Sequence, residues 1–294
     1  MQSTGPSACP SYDDGMATDK TAHNYEIEIN HAASHTRACV APNRGGMVTT
    51  FDVGDRSVFF LDRASFDDAE KNVRGGNPVL FPTPGKLDND SWAYNARSGS
   101  LKQHGFARNL QWKVEEQRQD AVKLSLESTD ATRAQYPWDF GAALTYRVTA
   151  SELHILAEIE NRSKNIMPFG LGFHPYFAIK NKETFALETG ATRVFDNVTK
   201  RQGPFSKDAL VLGSREVDLH LLDHGSTCVT FQRDDAPVTI ESDMMTAWVV
   251  WTLPGRDFVC VEPWTCPGNA LNTRTDLWEL DPHEMALVTL IYRA

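Results

Sequence analysis

No stretch of this chain sustains a convincing long amphipathic helix. From Tyr25 to the end it is a succession of short runs rich in β-branched and aromatic residues, cut by clusters of Gly, Pro, Asn and Asp. That punctuation constrains the architecture, because each run buries one face and must pair with neighbours to satisfy its backbone. The clearest runs are YEIEI from Tyr25, MVTTFDV from Met47, LQWKV from Leu110, AVKLSLE from Ala121 and ALTYRV from Ala143, followed by LHILAEIE from Leu153, CVTF from Cys228, AWVVWTL from Ala247, FVCVE from Phe258 and ALVTLIY from Ala286. LHILAEIE alternates strictly, the mark of a strand with one face in the core and one polar. The strands are too many for a small sandwich, and no internal repeat of propeller length stands out. The expectation is therefore all-β: one large antiparallel β-sandwich domain over residues 23–294, without a linker.

The 294 residues are 41% hydrophobic, enough to bury a sizeable core. A formal charge of -10 removes the electrostatic case for nucleic acid or an anionic membrane, since no basic stripe is present to neutralise phosphates. Five scattered cysteines with no CxxC pair suggest neither a disulfide framework nor a structural zinc site, and reduced thiols are expected. No apolar run approaches the roughly 20 residues that span a bilayer. Residues 1–22 are polar and lack both the signal-peptide pattern and the arginines of a transit peptide, so they read as a disordered tail on a cytoplasmic protein.

Two segments carry candidate chemistry. In FVCVEPW a carboxylate, Glu262, closes a buried apolar strand and is followed at once by Pro263. Burial disfavours the ionised form and moves the pKa toward neutrality, as a general base requires, whereas the plainer reading is a charge capping a strand end at the surface. In LGFHPYF a single histidine, His174, sits among apolar and aromatic residues, again before a proline. The residue before proline is held extended, so both groups are fixed on strand-like backbone, and their chemistries are complementary as acid and base.

The stretch from Asp62 to Asn95 is the longest without a strand pattern and is expected to lie over the site. It contains RGGNP, in which Arg74 offers a fork of donors and the glycines permit a tight turn or a close approach. HGFARN follows, and from spacing alone His104 and Arg108 are equally a surface loop. His220 and His224 have a metal-ligand spacing, but they follow a strand-like pattern and end at Gly225, so a loop is expected there rather than a zinc site. Trp248 and Trp251 should face opposite sides of one strand. A nucleophile elbow, a P-loop and a dinucleotide fingerprint are all missing from the sequence.

RGGNPVLFP, LKQHGFARN, GFHPYF and VEPWTCPGNALN, in this order and at these separations, resemble the aldose 1-epimerase (galactose mutarotase) superfamily, which includes hexose-6-phosphate 1-epimerases. The resemblance covers nearly all of residues 25–294. It implies a large antiparallel β-supersandwich with a cleft on one concave sheet, no metal or organic cofactor, a small sugar as the partner, and a monomer or homodimer. It implies His174 as general acid and Glu262 as general base, with His104, Arg74 and, more loosely, Asp243 binding the sugar; Asp235 and Asp257 flank the same region. Arg108 corresponds to an arginine that sugar-phosphate members place near the phosphate. Cys266 and Gly268 depart from the Ala and Arg common in relatives. The expected activity is interconversion of the anomers of a free hexose. The alternatives are a hexose-6-phosphate epimerase, a non-catalytic carbohydrate-binding sandwich, and a retaining glycosidase using Asp243 with Glu262, whose carboxylates would have to lie about 5 Å apart.

Overall fold

The alternating run at Leu153 becomes the strand Glu152–Asn161, in which Leu153, Ile155, Ala157 and Ile159 are buried while the residues between them reach the surface. The same period-2 logic builds the rest of the protein, for which a computed structural model describes residues 25–234 and 236–294. The expected tail at 1–22, Cys9 and Asp235 lie outside the described residues.

Two eight-stranded antiparallel sheets dominate. One runs in the order Ala186–Glu188, Cys228–Arg233, Ala236–Ser242, Met285–Arg293, Glu152–Asn161, Phe140–Thr149, Ala121–Glu127 and Lys113–Gln117. The other runs Arg201–Pro204, Arg193–Asp196, Val217–Leu221, Ala247–Thr252, Phe258–Trp264, Gly172–Phe173 and Val79–Leu80, with Tyr176–Ala178 also paired to Phe258–Trp264. A four-stranded sheet is built from Ile27–His31, Thr36–Ala41, Met47–Val53 and Arg56–Ser57. The all-β supersandwich expected from the sequence is the fold observed.

The inner faces of the two large sheets meet in one apolar cluster that includes Leu153, Ile155 and Leu290 from the first and Leu219, Val250, Val259 and Val261 from the second. Phe177 crosses between them, edge-on to Phe231 with ring centroids 4.9 Å apart. Each such side chain contributes about 1.5–3 kcal/mol by leaving water. Every second residue of the second sheet therefore points away from this core, which leaves its other face for the site. Trp248 and Trp251 divide as expected, Trp248 into the core and Trp251 onto that outer face.

Three expectations need correcting. The LQWKV strand begins only at Lys113, because Trp112 is drawn into the core and its indole N–H donates to the Ala107 carbonyl. His220 lies on the strand Val217–Leu221 rather than in a loop. Cys39 is disulfide-bonded, against the expectation of reduced thiols, while Cys228, Cys260 and Cys266 are free.

Candidate active site

Strand register brings the two proline-flanked groups together. Tyr176 pairs with Cys260 and Gly172 with Trp264 on the strand Phe258–Trp264, so the intervening His174 stands opposite Glu262. Between those paired positions the chain arches off the ladder. The His174 amide donates instead to the Pro78 carbonyl and the Tyr176 amide to that of Gly76. Pro263, which has no N–H to give, falls within this opening, so a proline is accommodated inside a sheet that would otherwise reject it. The strand thus continues two residues past Glu262 instead of ending there, and the two prolines hold open a gap into which an imidazole and a carboxylate project.

The same register extends the row across the sheet, through Val249 opposite Glu262 and His220 opposite Val249. A parallel row runs from Tyr176 through Cys260 and Trp251 to Asp218. His174 Nε2 and Glu262 Oε1 are 3.5 Å apart, and both residues are buried, at 8% and 2% exposure. The imidazole of His174 stacks on Tyr176 and meets Trp251 edge-on. Arg74 is exposed at the rim, its guanidinium carbon 5.8 Å from the centre of the Trp251 ring.

His104 arrives from the loop between Leu101 and Leu110, its ring centroid 5.4 Å from that of His174. Its Nδ1 contacts the Pro84 carbonyl, which can only accept, so that nitrogen carries the proton and Nε2 accepts from Gln103 Nε2 at 3.1 Å. The turn that delivers it needs Gly105: its φ is +66°, and a Cβ there would sit 2.2 Å from the Phe81 carbonyl oxygen. Arg108 steadies the same loop, donating through Nη2 to the Gln103 carbonyl at 3.3 Å.

Burial dominates the electrostatics. It pushes the Glu262 carboxyl well above its ordinary 4.5, helped by the negative charge of Asp218, and pulls His174 well below 6.5, helped by His104 and Arg108. His104 is lowered to about 4, chiefly by burial and then by Arg108. The uncharged pair, carboxylic acid facing neutral imidazole, is therefore favoured in the free protein, and it holds one proton between two groups that can each give or take it. Glu262 Oε2, His174 Nδ1, the Trp264 indole N–H and Arg108 Nε are all buried without a hydrogen-bond partner. Unpaired buried polar atoms are costly, and those on the acid–base pair and its neighbours are suited to a ligand rich in hydroxyls.

Of the residues singled out in the sequence, His174, Glu262, His104, Arg108 and Arg74 converge here. Asp243 does not: it is exposed beside the other large sheet, where its carboxylate accepts from the Thr289 amide at 2.9 Å. The acidic group near the pair is Asp218, half-buried, fixed by the Asn197 side-chain amide at 2.6 Å and lying 3.6 Å from His220. The signal for it was VDLHL, whose alternation places Asp218 and His220 on one face. His224 is elsewhere, with Nδ1 engaged by Thr189 and Nε2 by the Cys228 carbonyl, so the two histidines form no common metal site. The departures at Cys266 and Gly268 have a packing role: a Cβ at Gly170 would meet the Cys266 sulfur, and one at Gly85 would meet the Gly268 backbone.

A family model described as aldose 1-epimerase matches residues 25–293. Among solved structures, the Slr1438 protein from Synechocystis sp. PCC 6803 superposes with a TM-score of 0.88 at 31% identity, covering 96% of this chain and 99% of that one. A galactose mutarotase-like protein from Lactobacillus casei superposes with a TM-score of 0.75 at 19% identity over 91% of this chain and 99% of its own, a likeness of fold. A protein named putative glucose-6-phosphate 1-epimerase from Salmonella typhimurium is 26% identical over 176 residues, 58% of this chain and 54% of that protein.

Proposed function

The chain belongs to the aldose 1-epimerase family, and from that premise we propose that it is a cofactor-independent isomerase interconverting the α and β anomers of a free hexose. The observation that carries this reading is the opposed His174 and Glu262 pair, buried and 3.5 Å apart. The anomeric hydroxyl oxygen and the ring oxygen of a sugar hang from one carbon, so a pair at this spacing can address both at once.

In the reactive arrangement the shared proton sits on His174 and Glu262 is a carboxylate, a charge separation favoured when the sugar's hydroxyls satisfy the unpaired polar atoms around it. Glu262 takes the proton of the anomeric hydroxyl while His174 gives one to the ring oxygen. The C1–O5 bond breaks, C1 becomes an aldehyde carbon, and neither oxygen builds up a full charge. Rotation about C1–C2 and the reverse proton transfers close the other anomer. His104, Asp218 and Arg74 position the hydroxyls, and Trp251 offers an aromatic wall.

Arg108 favours the free hexose over its 6-phosphate, because its Nη2 is engaged by the Gln103 carbonyl and so braces the His104 loop, although its Nε is left without a partner. Arg74 favours the opposite reading, since it is exposed at the rim and no carboxylate among the described residues lies within 4.0 Å of it. Mutarotation rates for α-glucose, α-galactose and glucose 6-phosphate, measured side by side, decide between them. Under the free-hexose reading Arg108→Ala lowers the glucose and glucose 6-phosphate rates by similar factors. A phosphate clamp gives a loss of roughly ten- to a hundredfold confined to the phosphorylated sugar.

A further inference from the structure

The acid–base pair has a third neighbour for which ring opening has no use. Cys260 lies two residues before Glu262 on the same strand, so both side chains leave the same face, and its sulfur is fully buried. One donor atom each from His174, Cys260 and Glu262, an imidazole nitrogen, a thiol sulfur and a carboxylate oxygen, lie within 4.8 Å of one another. Glu262 Oε2 is buried with no hydrogen-bond partner, so the carboxylate has an oxygen left over for a ligand.

We propose that His174, Cys260 and Glu262 form an inhibitory binding site for a thiophilic divalent cation, zinc above all. The inhibitory part rests on the function proposed above; the binding part does not. One nitrogen, one sulfur and one oxygen make a three-ligand set suited to zinc, with the fourth tetrahedral position left to water or a sugar hydroxyl. Ligand atoms around tetrahedral zinc lie about 3.5 Å apart, so the three donors need to close by roughly an ångström, within reach of side-chain rotation. On binding, the Cys260 S–H and the Glu262 carboxylic O–H bonds break, both protons pass to solvent, and Zn–S and Zn–O bonds form, with no change of oxidation state. Thiolate and carboxylate together cancel the charge of the ion, which suits a buried site. Magnesium and calcium, which require six or more oxygen ligands, gain nothing here. The bound ion occupies both the acid and the base and so stops ring opening.

The test uses the full-length protein with Co²⁺ as a spectroscopic probe and Zn²⁺ as competitor. The expected result is a thiolate-to-cobalt charge-transfer band that saturates at one equivalent, is displaced by zinc, and is lost in Cys260→Ser while Cys228→Ser keeps it. Zinc affinity, read by competition with a chromophoric chelator, should fall in Cys260→Ser by about a hundredfold or more, beyond what loss of an outer-shell partner costs. In parallel, zinc should inhibit mutarotation, EDTA should restore it, magnesium should do nothing, and Cys260→Ser should turn over at the wild-type rate while resisting zinc. If Cys260→Ser does not fold, Cys260→Ala and Glu262→Gln carry the same prediction for the band. No band in the wild type, or a band unchanged in Cys260→Ser, overturns the site. Binding without inhibition overturns its inhibitory role. A protein with no mutarotase activity overturns the function while the cobalt titration still decides the site.

Discussion

Glu262 and His174 owe their chemistry to surroundings that suppress charge, and this fixes how activity should respond to pH. In the proposed reaction the pair works while it holds one proton. Adding a second removes the base, and because burial pulls His174 well below 6.5, that loss should set in below the ordinary histidine range. Removing the only proton abolishes the acid, and because burial pushes Glu262 well above 4.5, that limb should lie well above the ordinary carboxylate range. A kcat/KM profile with a plateau between two such limbs is expected. A single limb near 6.5, unmoved in Glu262→Gln, would assign the titration to another group. At this scale the sequence exposed the residues whose surroundings break a local pattern, a carboxylate in an apolar strand and a histidine among aromatics, each before proline. Asp218 escaped because its alternating strand looks like any other with a polar outer face, and only the register beside Trp251 shows that this face lines the site.

At the scale of elements, the site depends on interruptions of regular structure: the arch at His174 and the left-handed turn at His104 and Gly105. The turn is the more exposed to a single atom. Gly105→Ala places a methyl against the Phe81 carbonyl in a backbone conformation that alanine resists, and should destabilise the fold by about 2–4 kcal/mol, measured as a lower urea midpoint at unchanged m-value. A change within about 0.5 kcal/mol would mean that the turn relaxes and does not fix His104. Most strands were legible from their alternation. The loop before Lys113 was not, because a buried Trp112 reads the same whether it lies on a strand or is tucked into a turn.

For the whole molecule, burying neutral histidines couples stability to acid. The unfolded chain protonates His104 near 6.5, whereas the folded protein does so only at about 4. Its contribution, roughly 3 kcal/mol, is therefore present above pH 6.5 and lost as pH falls through about 4. Unfolding free energy should decline across that window, and less steeply in His104→Gln; equal slopes would contradict the buried neutral state. Glu262 acts in the opposite sense, its contribution being lost as pH rises through its elevated pKa. The architecture was legible because nearly every run of the chain carries the same strand signal, and four ordered motifs tied that architecture to a family. The division of labour among the site arginines was not, since it depends on which carbonyls and rings they meet.

The central claim is that Glu262, opposite His174, opens and recloses the sugar ring. NMR exchange spectroscopy between the α and β anomers of glucose, at neutral pH and with equal amounts of folded wild type and Glu262→Gln, tests it directly. Rapid exchange is expected with the wild type and a loss of about 10²- to 10⁴-fold in the variant, with the fold unchanged by circular dichroism. Exchange at the wild-type rate in Glu262→Gln, or no acceleration by the wild type over buffer, would contradict it.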